Sequence, residues 1–190
     1  MPLTKIQSLG ITDGTIVNAD INASAAIAST KLSGSLGKVL QVVSTQVTST
    51  IATTINIDGS FEDISGLSAT ITPSSASNKI LVIAQISTSV CTSGGHRQYL
   101  RILRASTEIA YGNSGTGYRA SSGFYSTDTN ATINTPIIWY DTPNTTSATT
   151  YKFQGTSNSS SQTFYVNRGV NSQGDSPLTA SQILLLEIAG

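Results

Sequence analysis

The side chains able to do chemistry are few, and their spacing does not bring them together. His96 is the only histidine and follows Gly94 and Gly95 where an apolar run begins. A base of that kind works on a nucleophile held at a sharp turn, and the chain has no Gly-x-Ser-x-Gly elbow to supply one. His96 therefore reads as a polar strand-end residue. Cys91 is the only cysteine, so no intramolecular disulfide is available, and its place at the end of an apolar run reads as packing. Nine of the ten carboxylates, Asp13, Asp20, Asp58, Glu62, Asp63, Asp128, Asp141, Asp175 and Glu187, are scattered, with Glu62 and Asp63 adjacent. A metal site or a glycosidase pair needs such groups at a defined separation, and no local cluster marks one. The segment Gly34 to Lys38 has a glycine and a lysine but not the spacing, or the following Ser or Thr, of a phosphate loop, and reads as a hinge. No catalytic, cofactor-binding or metal-binding residue is assigned, and the expectation is a protein that is not an enzyme.

Two groups of residues suit binding better than catalysis. Arg97, Tyr99, Arg101 and Arg104 fall on one expected strand, with Tyr99 and Arg101 on one face and Leu100 and Ile102 on the other. An Arg and Tyr face of this kind either grips a neighbouring subunit or is simply solvated. The expected loop from Gly112 to Asn130 is rich in Gly, Ser and Thr and carries Tyr118, Arg119, Phe124 and Tyr125. Such loops make contact surfaces, here for a receptor or for a sugar stacked on tyrosine, or else serve only as connections.

Charge narrows the partners. Lys plus Arg equals Asp plus Glu at ten each, and charged residues make up 11% of the chain, against roughly 25% in an average soluble protein. No long-range field draws in nucleic acid or an anionic membrane, so neither is expected as a partner. No apolar run approaches the ~18 residues of a membrane span, and the Met-Pro-Leu-Thr-Lys start does not resemble a signal peptide. Synthesis in the cytoplasm without export of the chain alone is expected. The Asn-x-Ser/Thr triplets at Asn22, Asn130, Asn144 and Asn158 arise readily by chance in so Ser- and Thr-rich a chain.

The elements that would carry these residues fall into two regions. In residues 1–34, Ile11, Ile16, Ile21, Ile27 and Leu32 recur at steps of five or six among small polar residues. That period belongs neither to a helix nor to an alternating strand. Apolar rungs so sparse cannot enclose a core within one chain, and gain burial only against copies of themselves or another protein. The segment reads as an extended stem or docking arm, with a short helical candidate at Ala23 to Lys31. Residues 35–37 form a hinge.

Residues 38–190 alternate Val-, Ile-, Tyr- and Thr-rich runs with Gly, Asn, Ser and Pro clusters, the pattern of an all-β antiparallel sandwich of jelly-roll type. About eight strands are expected, drawn from Lys38 to Thr48, Ile51 to Ile57, Leu67 to Thr72, Lys79 to Val90, His96 to Arg104, Ile133 to Tyr140, Thr149 to Gly155, Gln162 to Asn167 and Ser181 to Ala189, one of them an edge fragment. The runs Ile80 to Ala84 and Ile183 to Leu186 are apolar on both faces, whereas an antiparallel sandwich strand normally wets one. A neighbouring subunit covering Leu81, Ile83, Leu184 and Leu186 would resolve the conflict; so would a loop of the same chain.

The run from Gly10 to Ser33, GITDGTIVNADINASAAIASTKLS, resembles the stems of tail-fibre-like virion proteins of marine and freshwater bacteriophages. The segments GKVLQVV at Gly37 to Val43, GLSATITPSSASNKILV at Gly66 to Val82, YLRILR at Tyr99 to Arg104, TTYKFQ at Thr149 to Gln154 and EIAG at Glu187 to Gly190 are similar to the domains that follow such stems. The resemblance implies a homotrimer in the virion, with the stem docked on other particle proteins and a jelly-roll head, similar to complement-type globular heads, facing outward. A tail fibre contacting host surface polysaccharide or protein is the expected role. The alternatives are a capsid decoration protein of the same build and, from another class, a carbohydrate-binding module or polysaccharide hydrolase.

Overall fold

The computed structural model describes residues 21, 39–55, 60–90, 95–113, 119–127, 131–158, 162–171 and 177–190. The chain divides into two units, Met1–Gly34 and Ser35–Gly190. Within the first, only Ile21 is described, and it is exposed. The rungs Ile11, Ile16, Ile27 and Leu32, the helical candidate and the hinge lie outside the described residues.

In the second unit the described residues form eleven strands and no helix: β1 (Val39–Val47), β2 (Ile51–Ile55), β3 (Glu62–Ile71), β4 (Lys79–Val90), β5 (His96–Arg104), β6 (Thr107–Ile109), β7 (Ser122–Ser126), β8 (Ile133–Asp141), β9 (Thr149–Ser157), β10 (Gln162–Val166) and β11 (Ser181–Ile188). All pairings are antiparallel. One sheet runs β1-β11-β4-β10-β2, with β8 on the other edge of β4; the second runs β3-β9-β5-β6, with β7 also on β5.

The two sheets share one core because their strands alternate. In β11, Ser181, Ile183, Leu185 and Glu187 are buried while Gln182, Leu184, Leu186 and Ile188 are half-covered. The fully buried side chains come from both sheets: Ile80, Ile86, Phe164, Ile183 and Leu185 from one, Leu67, Ile71, Leu100, Ile102, Tyr151 and Phe153 from the other. Each such side chain contributes roughly 1.5–3 kcal/mol by leaving water.

Two features depart from the sequence expectation. The expected Leu67 to Thr72 strand begins five residues earlier, because a bulge between Asp63 and Ser68 lets both Ile64 and Leu67 face the core. Gly66 makes it possible with φ of +81°, a conformation that costs glycine little. The expected loop Gly112 to Asn130 contains β7, and the short β6 follows a tight turn through Ala105 at φ +52°. Pro136 lies inside β8, which pairs with β4 alone; an edge strand tolerates the missing N–H.

Two polar clusters sit at opposite ends of β11. Glu187 accepts hydrogen bonds from Gln41 Nε2 (2.6 Å), Ser74 N (2.6 Å), Ser74 Oγ (2.8 Å) and Asn78 Nδ2 (2.5 Å), tying β11 to β1 and to the β3–β4 turn. At the other end Asn167 donates to the carbonyls of Val47 (2.7 Å) and Ser49 (3.0 Å) and accepts from Ser181 Oγ (2.7 Å).

Candidate functional site

The register assembles a continuous outer face on the first sheet. Leu81 stands opposite Leu186 on one side and Tyr140 on the other, and Leu186 stands opposite Val42. One row further, Ile83 lies between Leu184 and Ile138. Side chains directly paired across strands project to the same face. Val42, Leu186, Leu81 and Tyr140 therefore form one apolar row, and Leu184, Ile83 and Ile138 a second, with Leu40 and Ile188 beyond. Ile138 is 67%, Val42 57% and Tyr140 56% exposed, so nothing in the described part of the chain covers them.

This face is apolar and nearly uncharged. Lys79 carries the single charge among its described positions, and Gln46, Gln182 and Gln85, in register across three strands, form a polar border. Strand spacings of ~4.8 Å and side-chain rows ~7 Å apart give a patch of roughly 300–400 Å², already in the range of the largest patch a typical monomer exposes. Depletion of charge at the centre with a polar rim is the usual anatomy of an interface.

The residues expected at subunit contacts fall on two surfaces. Leu81, Ile83, Leu184 and Leu186 lie together on this face. Tyr99 and Arg101 lie on the outer face of the other sheet. Arg101 is also engaged within the chain: its Nε donates to Gln154 Oε1 at 2.8 Å, its Nη1 pairs with Glu108, and its guanidinium lies 4.3 Å from the Phe61 ring centroid. Tyr99 and Tyr125 instead share a shallow depression with Arg97, Gly123 and Phe124. A Cβ at Gly123 would come within 3.0 Å of the Tyr99 ring and 3.1 Å of the Gln98 carbonyl, so a side chain there would require these neighbours to shift.

The expected receptor residues separate likewise. Phe124 and Tyr125 are on β7, not in a loop, with Arg97 5.8 Å from the Tyr125 ring centroid. Arg119 is exposed and lies 4.0 Å over the Tyr111 ring. Tyr118 lies outside the described residues. Sequence reasoning passed over Val42, Ile138 and Tyr140, although Ile137 to Tyr140 shows the same unbroken apolar run that marked the strands beside it.

A further cluster gathers where β5 and β8 end and β9 begins. Asp141 is buried, receives Arg104 Nη1 at 2.9 and 3.0 Å on its two oxygens, and accepts the Tyr151 hydroxyl at 2.7 Å. Burial first, then the bond to Asp141, pushes the Tyr151 phenol far above its ordinary range, so it stays a donor at any physiological pH. Among the described residues no group of His, Cys, Asp and Glu converges as a metal site would require. No known protein family matches the chain, and no curated protein is similar to it.

Proposed function

We propose that the protein is a structural, non-enzymatic component of a phage particle, whose head assembles with copies of itself through the outer face of the first sheet. The observation that carries this reading is the apolar patch formed by Val42, Leu81, Ile83, Ile138, Leu184 and Leu186, in register across four strands and almost free of charge. A patch without charge gives a charged partner nothing to select, whereas it matches a second copy of itself, and most soluble oligomers are symmetric assemblies of one chain.

Strand order supports the finer architecture. With the short β2, β6 and β10 set aside, β1-β11-β4-β8 faces β3-β9-β5-β7, first strand beside last, as in a jelly roll. Three copies per assembly, a stem at residues 1–34 docking on other virion proteins and an outward contact with a host surface are carried by the resemblance of the sequence to tail-fibre-like proteins. Light scattering on the full chain is expected to give three times the chain mass. Ile83→Lys with Leu184→Lys, register partners at the centre of the patch, is expected to give monomers that keep the far-ultraviolet spectrum of the parent. A monomeric parent protein would overturn the reading.

A further inference from the structure

A cleft of about 410 Å³ opens beside the edge strand β8, lined in part by Arg104, Glu108, Tyr111, Trp139, Tyr140 and Asp141. Its volume falls in the range of small-molecule sites. Trp139, the single tryptophan of the chain, is 41% exposed there, although its register partner is the fully buried Val82. An exposed indole at such a position is a large apolar surface left in water, and it sits among polar groups already held in place.

The charged side chains that line the cleft are paired, while Arg119 stacks on the Tyr111 ring beside it at 4.0 Å. Arg104 is matched by Asp141, and Glu108 by Arg101. What remains is a set of planar side chains whose spare donor and acceptor positions are fixed. Ala105 and Ala110 adopt φ of +52° and +55° on either side of β6, and Asn144 +52° just beyond β8. Three of the four non-glycine residues with positive φ among the described residues thus flank this cleft, a conformation that costs alanine roughly 1 kcal/mol or more.

We infer that this cleft binds a neutral saccharide, with a sugar ring stacked on Trp139 and its hydroxyls bonded to the Arg104–Asp141 and Glu108 groups. A pyranose has an apolar C–H face for an aromatic ring and adjacent hydroxyls for bidentate side chains, and it carries no charge to be balanced. A phosphate or a carboxylated sugar would meet in the lining the Arg104 guanidinium, already paired with Asp141, and the Glu108 carboxylate. The inference gives a chemical class to the outward contact proposed above and rests on that reading, but its residues are independent of the assembly face except at Tyr140.

Because Trp139 is the only indole, its fluorescence reports on this cleft alone. Titration of the full-length protein with glucose, galactose, mannose, N-acetylglucosamine and the disaccharides maltose, lactose and cellobiose is expected to give a saturable shift with at least one of them. Galacturonic acid should give none at equal concentration. Trp139→Ala, followed by calorimetry with the responding sugar, is expected to weaken binding at least tenfold; Tyr111→Ala, at an exposed position, serves as a second variant if the first does not fold, and is expected to weaken it severalfold. Silence with every neutral sugar, preference for the acidic sugar, or unchanged affinity in a folded variant would overturn the inference. Light scattering on the same sample separates the two proposals, since a monomer that binds sugar removes the assembly face and leaves the cleft, and a trimer that binds none does the reverse.

Discussion

Glu187 is a carboxylate without solvent exposure, and its surroundings decide its ionisation. Burial is the largest single influence and opposes charge, but the bonds from Asn78, Gln41 and both the side chain and backbone of Ser74 together outweigh it and hold the pKa down at about 2, against an ordinary 4.5. The folded state therefore prefers the ionised form. Its contribution is fully present above pH 4.5 and is lost as the pH falls toward 2. Thermal unfolding of the parent should shift to lower temperature across that window. Glu187→Gln, which keeps the shape but loses the charge-assisted bonds, should cost about 1–3 kcal/mol at pH 7 and flatten the acid dependence. A parallel acid profile in the variant would place the titrating group elsewhere. Tyr151→Phe tests the other cluster: it deprives buried Asp141 of one donor and should cost about 1–2 kcal/mol by chemical denaturation. Neither partnership was visible in the sequence, because 109 residues separate Glu187 from Asn78 and only the register of β11 on β4 closes the gap.

Among the elements, β4 and β11 show how far an apolar pattern reaches. Runs such as Ile80 to Ala84 announce a strand through their β-branched residues, and most strand limits could be read from such runs to within a residue or two. The pattern also announced that both faces are apolar. It could not say which strands stand beside them, and so could not reveal that Val42 and Ile138 complete the surface. The elements that escaped were those whose residues look like turns. β3 begins with Glu62, Asp63 and a Ser65–Gly66 step, and becomes a strand because Gly66 absorbs a bulge. β7 is a Ser- and Gly-rich segment made into a strand by pairing with β5. Packing between sheets can be probed at Gly155, where a Cβ would come within 2.9 Å of the Phe164 ring. Gly155→Ala should therefore lower stability by about 1–3 kcal/mol through overpacking, measured by urea unfolding.

At the scale of the whole molecule, the sandwich has two outer faces of different character. One is apolar and nearly uncharged; the other carries Arg97, Arg101, Lys152 and Asp63 with aromatic neighbours, including the Lys152–Asp63 pair at 2.8 Å. In the assembly proposed above, the apolar side is the one turned to sister chains and the other stays in water. Substitution at the two centres should accordingly separate: Ile83→Lys is expected to change mass in solution with little change in the stability of the monomer, and Tyr125→Ala to change neither, as light scattering and denaturation together would show. The sequence by itself determined the class of fold, the positions of most strands, the poverty of charge and the lack of a local catalytic motif, because all of these follow from composition and from periods of two along the chain. Only the tertiary structure decided which distant residues share a face, moving Arg101 away from the apolar patch and into intrachain pairs, and bringing Trp139 to a cleft with Arg104 and Glu108. Register is fixed by bulges, turns and buried polar clusters acting over a hundred residues of separation, and no local pattern in the chain encodes that alignment.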